Sequence, residues 1–523
     1  MNKLDQIINY LSPAWQFKRV SARSRSRLMA AIAESGGLAP AYDGASKTKR
    51  GLKSWLPQLQ SPNMENSAEL PTLTSRSRDL YRNDTLARSA ITTSVTNVIG
   101  SGLRLKPTID AEFLGMSDEE ADAWERIAER EFKLWCRKEN CDAEAKLTFY
   151  GLQELAFLSV LQNGDVFATL PFIERPNSPY QLKVQMIEAD RVCNKNGAMD
   201  SDTLSGGVET DSNGTPINYH ILKSHPNGFN PVYEWRIVPA RGRQTGRVNV
   251  IHLFKTERVG QNRGVPFLAP VIEDLNLLKR YGQAELMAAL VSGLFTVFIE
   301  TESGQQLETF VQDETQAEGE INLGSGAIVD LAAGEKVNPV NPMRPNPAFD
   351  AFVIAVTRRV GAALEIPYEL LVKNFMASYS ASRAALLEAW KFFKTRRLWL
   401  ADNFCQPVYE EWMREAIYTE RISAPGFFDD PAIREAYLQC QWVGPAQGQI
   451  DPVKETQAAV LKINNGLSTR ALETAAIGGD WEANHRQLVK EHRMRQEGGL
   501  AADSLVVTRP TLEKTNEGEK DDE

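Results

Sequence analysis

Apolar residues recur at helical spacing over residues 75–100, where Leu80, Leu86, Ile91, Val95 and Val98 or Ile99 line up and Gly100 supplies the stop. A second amphipathic pattern, 117–138, opens with Ser117 and Glu120 in capping-box spacing, so that each satisfies a backbone N–H of the first turn. A short strand over 103–107 lies between these helices, and a further helix is expected over 148–163. The period then falls to two. Residues 165–173, 182–187, Val208, 219–223, 232–238 and 248–254 read as short strands separated by Gly, Pro and Asn turns, the pattern of an antiparallel β unit. The first part of the chain is therefore expected to be α+β.

Helical spacing returns over 266–291, with Pro266 just inside the start. Short strands at 296–299 and 327–331 follow, and a second helix, 348–364, breaks before Pro367. The stretch 286–299 is interrupted by Ser292, Gly293 and Thr296; it is shorter than the ~18 apolar residues that cross a bilayer and reads as the end of a buried helix running into a strand. The insert between the two helices is acidic. Residues 366–382 are polar and rich in small side chains. From Arg383 toward Ile417 runs a long helical pattern, roughly 50 Å at ~1.5 Å per residue, with Pro407 as its expected kink. Shorter helices are predicted over 452–464, 468–475 and 481–497. Residues 34–75, rich in Gly, Pro, Ser and Asn, read as an extended connector, and the chain beyond about Gly498 as a polar tail without fixed structure.

With 523 residues, 42% of them apolar, the chain is long enough for two or three packed units. Its net charge of -9 is unevenly spread: residues 1–54 carry +7, so the remainder carries -16. An acidic body argues against a tight grip on DNA, because such affinity comes largely from phosphate neutralisation and counterion release. The basic leader suggests a local arm for nucleic acid or a partner, beside the simpler reading of a solvated tail. Cys136, Cys141, Cys193, Cys405 and Cys440 are an odd number without metal-type pairing and read as free thiols in a reducing compartment. Met1 to Leu11 lacks a cleavable apolar core, so a soluble, non-secreted protein is expected.

Motifs for chemistry are missing. There is no G-x-x-x-x-G-K-[ST] to cradle a nucleotide phosphate and no G-x-S-x-G nucleophile turn. Gly100-Ser101-Gly102 starts a G-x-G, but Leu105 stands where the third glycine belongs and the run follows a helix, so it is a helix stop and turn. His220, His225 and His252 fall in the β-rich stretch. His485 and His492 lie two turns apart, and none has the spacing and acidic partner of a zinc helix, so all five read as core or surface residues. No catalytic site, metal or cofactor is expected. The reading from another class is a metal-dependent DNA-processing enzyme whose carboxylates are scattered along the chain.

Five stretches carry a resemblance: SRSRDLYRNDTLARSAITTSVTNVIGSGLRLKP at 75–107; NGDVFATLPFI at 163–173 with MIEADRVCNKNG at 186–197; VNVIHLFKTERVGQNRGVPFLAPVIEDL at 248–275; IPYELLVKNFMASYSASRAALLEAWKFF at 366–393; and WVGPAQGQIDPVKETQAAVLKINNGLST at 442–469. In order and spacing, over roughly residues 75–490, the chain resembles the lambda-type family of phage portal proteins. The resemblance implies a non-enzymatic subunit of a ring, expected to be a dodecamer. Its parts would be a basic flexible arm (1–74), an α+β wing (75–265), stem helices (266–291 and 348–365), a β-containing clip (292–347) and a tunnel loop (366–382). A long channel-proximal helix with the rest of the wing (383–449), a helical crown (450–497) and a disordered acidic tail (498–523) would complete it.

It also implies partners. Double-stranded DNA would pass through the channel, touched transiently by Lys373, Asn374, Ser378, Ser380 and Ser382, unless these form an ordinary solvated loop; Met376 and Tyr379 would pack between subunits. The large terminase subunit, which would supply ATP hydrolysis, would dock on the clip at Glu302, Glu308, Asp313, Glu314 and Glu318. The major capsid protein and head-completion or tail-adaptor proteins would follow, with no membrane involved. The expected place is the unique capsid vertex of the virion, and the host cytoplasm during assembly. A ring of such acidic subunits carries on the order of a hundred net negative charges, which repel the DNA backbone and lower friction. The polar ends, before about Glu69 and after Gly498, would be the easiest to trim.

Overall fold

The computed structural model describes residues 22, 25, 26, 42–293, 297–301, 335–339, 348–375, 379–448 and 451–499, and of residues 291–293, 297–301, 335–339, 379 and 380 only the backbone. The chain divides into two units, Met1–Ser61 and Pro62–Glu523. In the first, Asp43–Ala45 makes one 3-10 turn and Lys49 pairs with Asp43 at 2.6 Å.

The second unit opens with a helix where the pattern predicts a connector: α1 spans Pro62–Asn83 and contains Pro71. Pro62 suits a first turn, where its missing N–H has no partner to lose, and Pro71 removes one interior donor. The buried residues of α1 are Thr74, Ser77 and Leu80, so small polar side chains hide it from a hydrophobic count. Nor does a single helix fill 75–100. Asp84 ends α1 and caps α2 (Thr85–Val98), accepting the Ala87 N–H at 2.8 Å. Beyond Gly100, which turns left-handed at φ 56, comes β1 (Arg104–Pro107).

The capping box forms as expected: α3 (Asp118–Trp135) starts with Ser117 and Glu120 each bonding the other's N–H. Its Ala121, Trp124, Ala128, Phe132 and Trp135 recur three or four residues apart and face the main core. Thr148 caps α4 (Phe149–Asn163).

Seven strands follow in two antiparallel sheets. One has the order β3 (Gln185–Ile187), β2 (Asp165–Thr169), β8 (Val250–Phe254); the other runs β4 (Leu204–Ser205), β5 (Val208–Thr210), β6 (Pro216–Leu222), β7 (Trp235–Pro239). A second, smaller core between them holds Phe167, Val208, Tyr219, Ile221, Val238 and Val250.

After a 3-10 turn at Ala269–Val271, α5 spans Ile272–Gly293, so Pro266 lies ahead of the helix and not inside its start. β9 (Val297–Thr301) pairs antiparallel with β10 (Glu335–Pro339) ahead of α6 (Phe349–Ala363). The strand expected over 327–331 lies outside the described residues. Tyr281 of α5 packs on Phe349 at 5.4 Å and Phe352 at 5.1 Å of α6. The end of α5 does run toward a strand, yet in a single chain it is not buried. Leu286, Met287 and Leu290 are 65, 61 and 59% exposed, because α6 covers only the other side of the helix.

The long pattern is two helices, α7 (Tyr379–Leu400) and α8 (Gln406–Tyr418), joined by a π turn at Ala401–Cys405. Pro407 has no N–H for the i-4 carbonyl, and the wider turn just before it absorbs the break. Arg397 of α7 donates to the Val98 and Asn97 carbonyls at 3.0 Å each, closing the C-terminal end of α2. Tyr409 and Trp412 of α8 reach the ring of Phe132 at 5.6 and 4.9 Å.

Next come α9 (Pro431–Leu438) and β11 (Cys440–Val443), which pairs antiparallel with β1, Leu105 opposite Trp442. Helices α10 (Pro452–Asn464), α11 (Arg470–Ala476) and α12 (Trp481–Glu497) follow. Lys106 holds the start of α12 through Glu482 at 2.9 Å and Asp480 at 3.6 Å. Among the described residues no helix is long and apolar enough to cross a membrane, and the five cysteines are free.

Candidate functional site

The segment after α6 forms a compact root that ends in a turn at Lys373 and Asn374. Leu364 closes α6, and Glu365 takes a left-handed turn at φ 56 that buries Ile366 and lets its N–H reach the Gly361 carbonyl at 2.9 Å. Gly361 is required here, since a Cβ would stand 2.5 Å from the Ile366 oxygen. One helical turn, Tyr368–Leu371, buries Leu371, whose carbonyl accepts Ser89 Oγ of α2 at 2.7 Å. Lys373 is left-handed at φ 55, and the Asn374 N–H closes on the Glu369 carbonyl at 3.0 Å in a Schellman-type stop.

Of the residues expected to touch DNA, Lys373 and Asn374 stand together, exposed, on this stop. Ser378 lies outside the described residues. Ser380 and Ser382 belong to the first turns of α7 and not to a loop, and the Ser382 hydroxyl is buried against protein. The alanines of 381–385 are strong helix formers and carry the helix back through the serines. The clip carboxylates Glu302, Glu308, Asp313, Glu314 and Glu318, and Met376, also lie outside the described residues.

A cleft of about 660 Å³ opens beside the root, between the end of α6 and α7. Lys255, Arg358, Lys391 and Arg396 line it, against Glu365 and Glu388. Burial pulls the Arg396 guanidinium below its ordinary value, with Glu365 and Glu257 opposing, and the group sits 5.1 Å over the Phe392 ring. Sequence reasoning missed this group because its members come from three segments far apart in the chain.

The β-rich part of the chain carries a buried ionic knot. Arg263 Nε meets Asp165 at 2.5 Å, while its other nitrogens donate to the carbonyls of Ala189, Val192 and Gly206 at 3.1, 2.9 and 2.7 Å. His252 Nε2 lies 3.2 Å from Asp165. Burial would raise the Asp165 carboxyl, but Arg263 beside it and the bonds from His252 and Arg263 hold it well below the usual carboxylate range. Burial also pulls His252 below its ordinary value. The knot ties β2 and β8 to the segments that hold Arg263, Ala189 with Val192, and Gly206.

Glu188, Asp190 and His225 gather ligand atoms within 4.8 Å of one another. Arg78 already occupies that charge, 2.5 Å from Asp190 and 3.2 Å from Glu188. The Asn227 N–H donates to His225 Nδ1 at 3.1 Å, which leaves the neutral ring's other nitrogen as the N–H facing the acids. The group fits an ion-pair clasp better than a cation site.

These features define a mixed helix-and-strand protein in which paired strands β9 and β10 lie in the chain between α5 and α6, and Leu286, Met287 and Leu290 of α5 are exposed. A family model described as phage portal protein, lambda family, matches residues 48–397. The chain belongs to that family, which is structural and not enzymatic, and it is a portal protein of a tailed phage.

It is 28% identical over 510 residues to portal protein B of Escherichia phage lambda, covering 92% of this chain and 95% of that one. It is 27% identical over 499 residues to the portal protein of Escherichia phage N15, at 90% and 93% coverage. Among solved structures, a chain from the neck of an empty gene transfer agent particle is similar at a TM-score of 0.43 and 12% identity, over 77% of this chain and 93% of that one.

Proposed function

We propose that copies of this chain, twelve in number, form the ring at one capsid vertex through which double-stranded DNA is packaged and ejected. The observation that carries the reading is the arm α5–β9–β10–α6 with its exposed Leu286, Met287 and Leu290, in a chain of this family. In this reading α5 and α6 are the stem, and residues 292–347 between them the clip on which the large terminase subunit and later the tail-adaptor proteins dock. The short loop after Lys373 faces the channel, the wing meets the major capsid protein, and α10–α12 form the crown.

Lys373 and Asn374 suit brief phosphate contacts. A few exposed donors on a strongly acidic ring bind weakly enough for DNA to slide, since each additional neutralised phosphate strengthens the hold. Negative-stain electron microscopy of the purified protein tests the reading. Rings with a central hole support it, and compact monomers or dimers at high concentration overturn it. Deleting Lys373 to Ser380 is expected to leave rings intact and to impair DNA packaging or retention; failure to assemble would make the segment structural instead. Cleavage of plasmid DNA with magnesium that tracks the ring fraction would return the protein to the enzymes.

A further inference from the structure

The cleft between the end of α6 and α7 holds two guanidiniums without a carboxylate. Arg358 lies 5.6 Å over the Tyr368 ring and Arg396 5.1 Å over the Phe392 ring, and among the described residues neither makes an ion pair or a hydrogen bond. Lys391 is paired with Glu388 at 2.6 Å, and Glu365 also lines the cleft. Cations still prevail along this face of the chain: residues 383–397 hold Arg383, Lys391, Lys394, Arg396 and Arg397 against one carboxylate, Glu388. Much of the remaining lining is apolar, with Ile366, Pro367, Phe392 and Trp399. A fitting occupant brings an apolar ring and a carboxylate on one piece.

The chain carries such a piece elsewhere. Residues 108–123 and 422–439 meet where the Thr108 and Asp110 N–H groups donate to the Gln439 and Ala436 carbonyls at 3.0 and 3.2 Å. The first segment contains no Lys or Arg and the second only Arg434, while Glu112, Asp118, Glu119, Asp429, Asp430 and Glu435 are exposed. Two rings stand out from this acidic surface, Phe113 and Phe428, each 56% exposed. Phe428 is held in place by its neighbours. Buried Phe427 braces it edge-on at 5.3 Å, Asp430 caps α9 by accepting the Ala432 N–H at 2.7 Å, and the Trp124 indole N–H donates to the Ser423 carbonyl at 2.7 Å. A ring held out in water by a fixed loop loses little freedom when it docks.

We propose that Phe428, with Asp429 beside it, enters the cationic cleft of a second copy of this chain. The ring goes to the apolar lining at Phe392 and Trp399, and the carboxylate to Arg358 and Lys391 at the mouth, both exposed. The knob does not fill its own cleft, since Phe428 is exposed and no residue of 422–439 lines that cleft. Knob and cleft are different surfaces, so the contact is heterologous: each copy gives a knob to one neighbour and a cleft to the other, an arrangement that closes into a ring when the rotation fits. The contact rests on the ring reading above and adds to it a second pair of surfaces, apart from the stripe on α5.

Photo-crosslinking in rings of the full chain tests this. With Phe428→p-benzoylphenylalanine, irradiation is expected to join residue 428 to residues 388–399 of another copy, seen as mixed-isotope peptides when labelled and unlabelled chains are assembled together. R358E/K391E and, separately, E112K/D429K should each raise the protein concentration needed for rings about tenfold, and the four changes in one chain should restore it. Rings whose cross-links from residue 428 fall outside the cleft, or a fourfold variant no better than either double variant, would overturn the contact and leave the ring reading standing. If benzoylphenylalanine at 428 itself blocks rings, the charge exchange alone decides. A parent chain that forms no rings would remove both readings. Duplex DNA bound by the parent and lost in R358E/K391E, with rings unchanged, would give these cations to phosphate and overturn the proposal as well.

Discussion

The aromatic core and the α5–α6 pair bury similar kinds of residue to opposite ends. In the main core, Phe132, Trp135, Phe149, Tyr409 and Trp412 close on one another within a single chain, and the Trp135 indole N–H finds the Leu182 carbonyl at 3.0 Å. In the arm, α5 meets α6 through Tyr281 and leaves Leu286, Met287 and Leu290 outside. One region is finished by its own sequence; in the other, Leu286, Met287 and Leu290 stay exposed. A helix pair with a bare apolar stripe is an assembly element, since contiguous exposed apolar surface marks interaction sites in soluble proteins.

Changing Leu286, Met287 and Leu290 together to Asp attacks the unfinished side, and carries the largest expected effect. Rings should disappear from sedimentation and microscopy while circular dichroism and the unfolding temperature of the chain stay as they are. If unfolding moved instead, the stripe would belong to the chain's own stability and the contrast would fail.

The finished side is attacked by Arg263→Met, which leaves the fully buried Asp165 without its guanidinium. A loss of about 3–5 kcal/mol in denaturant unfolding is expected, as for one partner removed from a buried pair. Acid should act in the same direction and more gradually. His252 is held below its ordinary value, so its contribution is present above about pH 6.5 and lost as pH falls below that; Asp165 is held low, so its share is complete above about pH 4 and lost further down. An Asp165→Asn chain should show a shallower acid limb than the parent. Smallest is Asp84→Ala, which removes the cap of α2 and should cost about 1 kcal/mol by the same unfolding measurement.

What could be read from sequence was local chemistry. Ser117 with Glu120, Thr148 before Phe149, Gly100 and Pro407 each announce a start, stop or break through their own covalent properties. The resemblance placed the whole chain in its family. Less legible was whatever depends on distant partners. The pairing of β1 with β11 joins residues at opposite ends of the chain, the cationic cleft draws Lys255, Arg358, Lys391 and Arg396 from separate segments, and α1 hides its buried face behind Thr74 and Ser77. Lys373 and Asn374 do lie outside a helix as expected, whereas the serines of α7 resembled a loop because small polar residues suit both states.

The π turn at Ala401–Cys405 also sets a phase. Each helical residue turns its successor by about 100°, so a five-residue turn holds one residue more than an α-helix would place there, and α8 is rotated relative to α7 by that amount. Tyr409 and Trp412 meet Phe132 in the phase this offset sets. Shortening the chain by a single residue between 401 and 405 should turn both rings about 100° away from the core, a frame error in three dimensions that no substitution at either ring would mend.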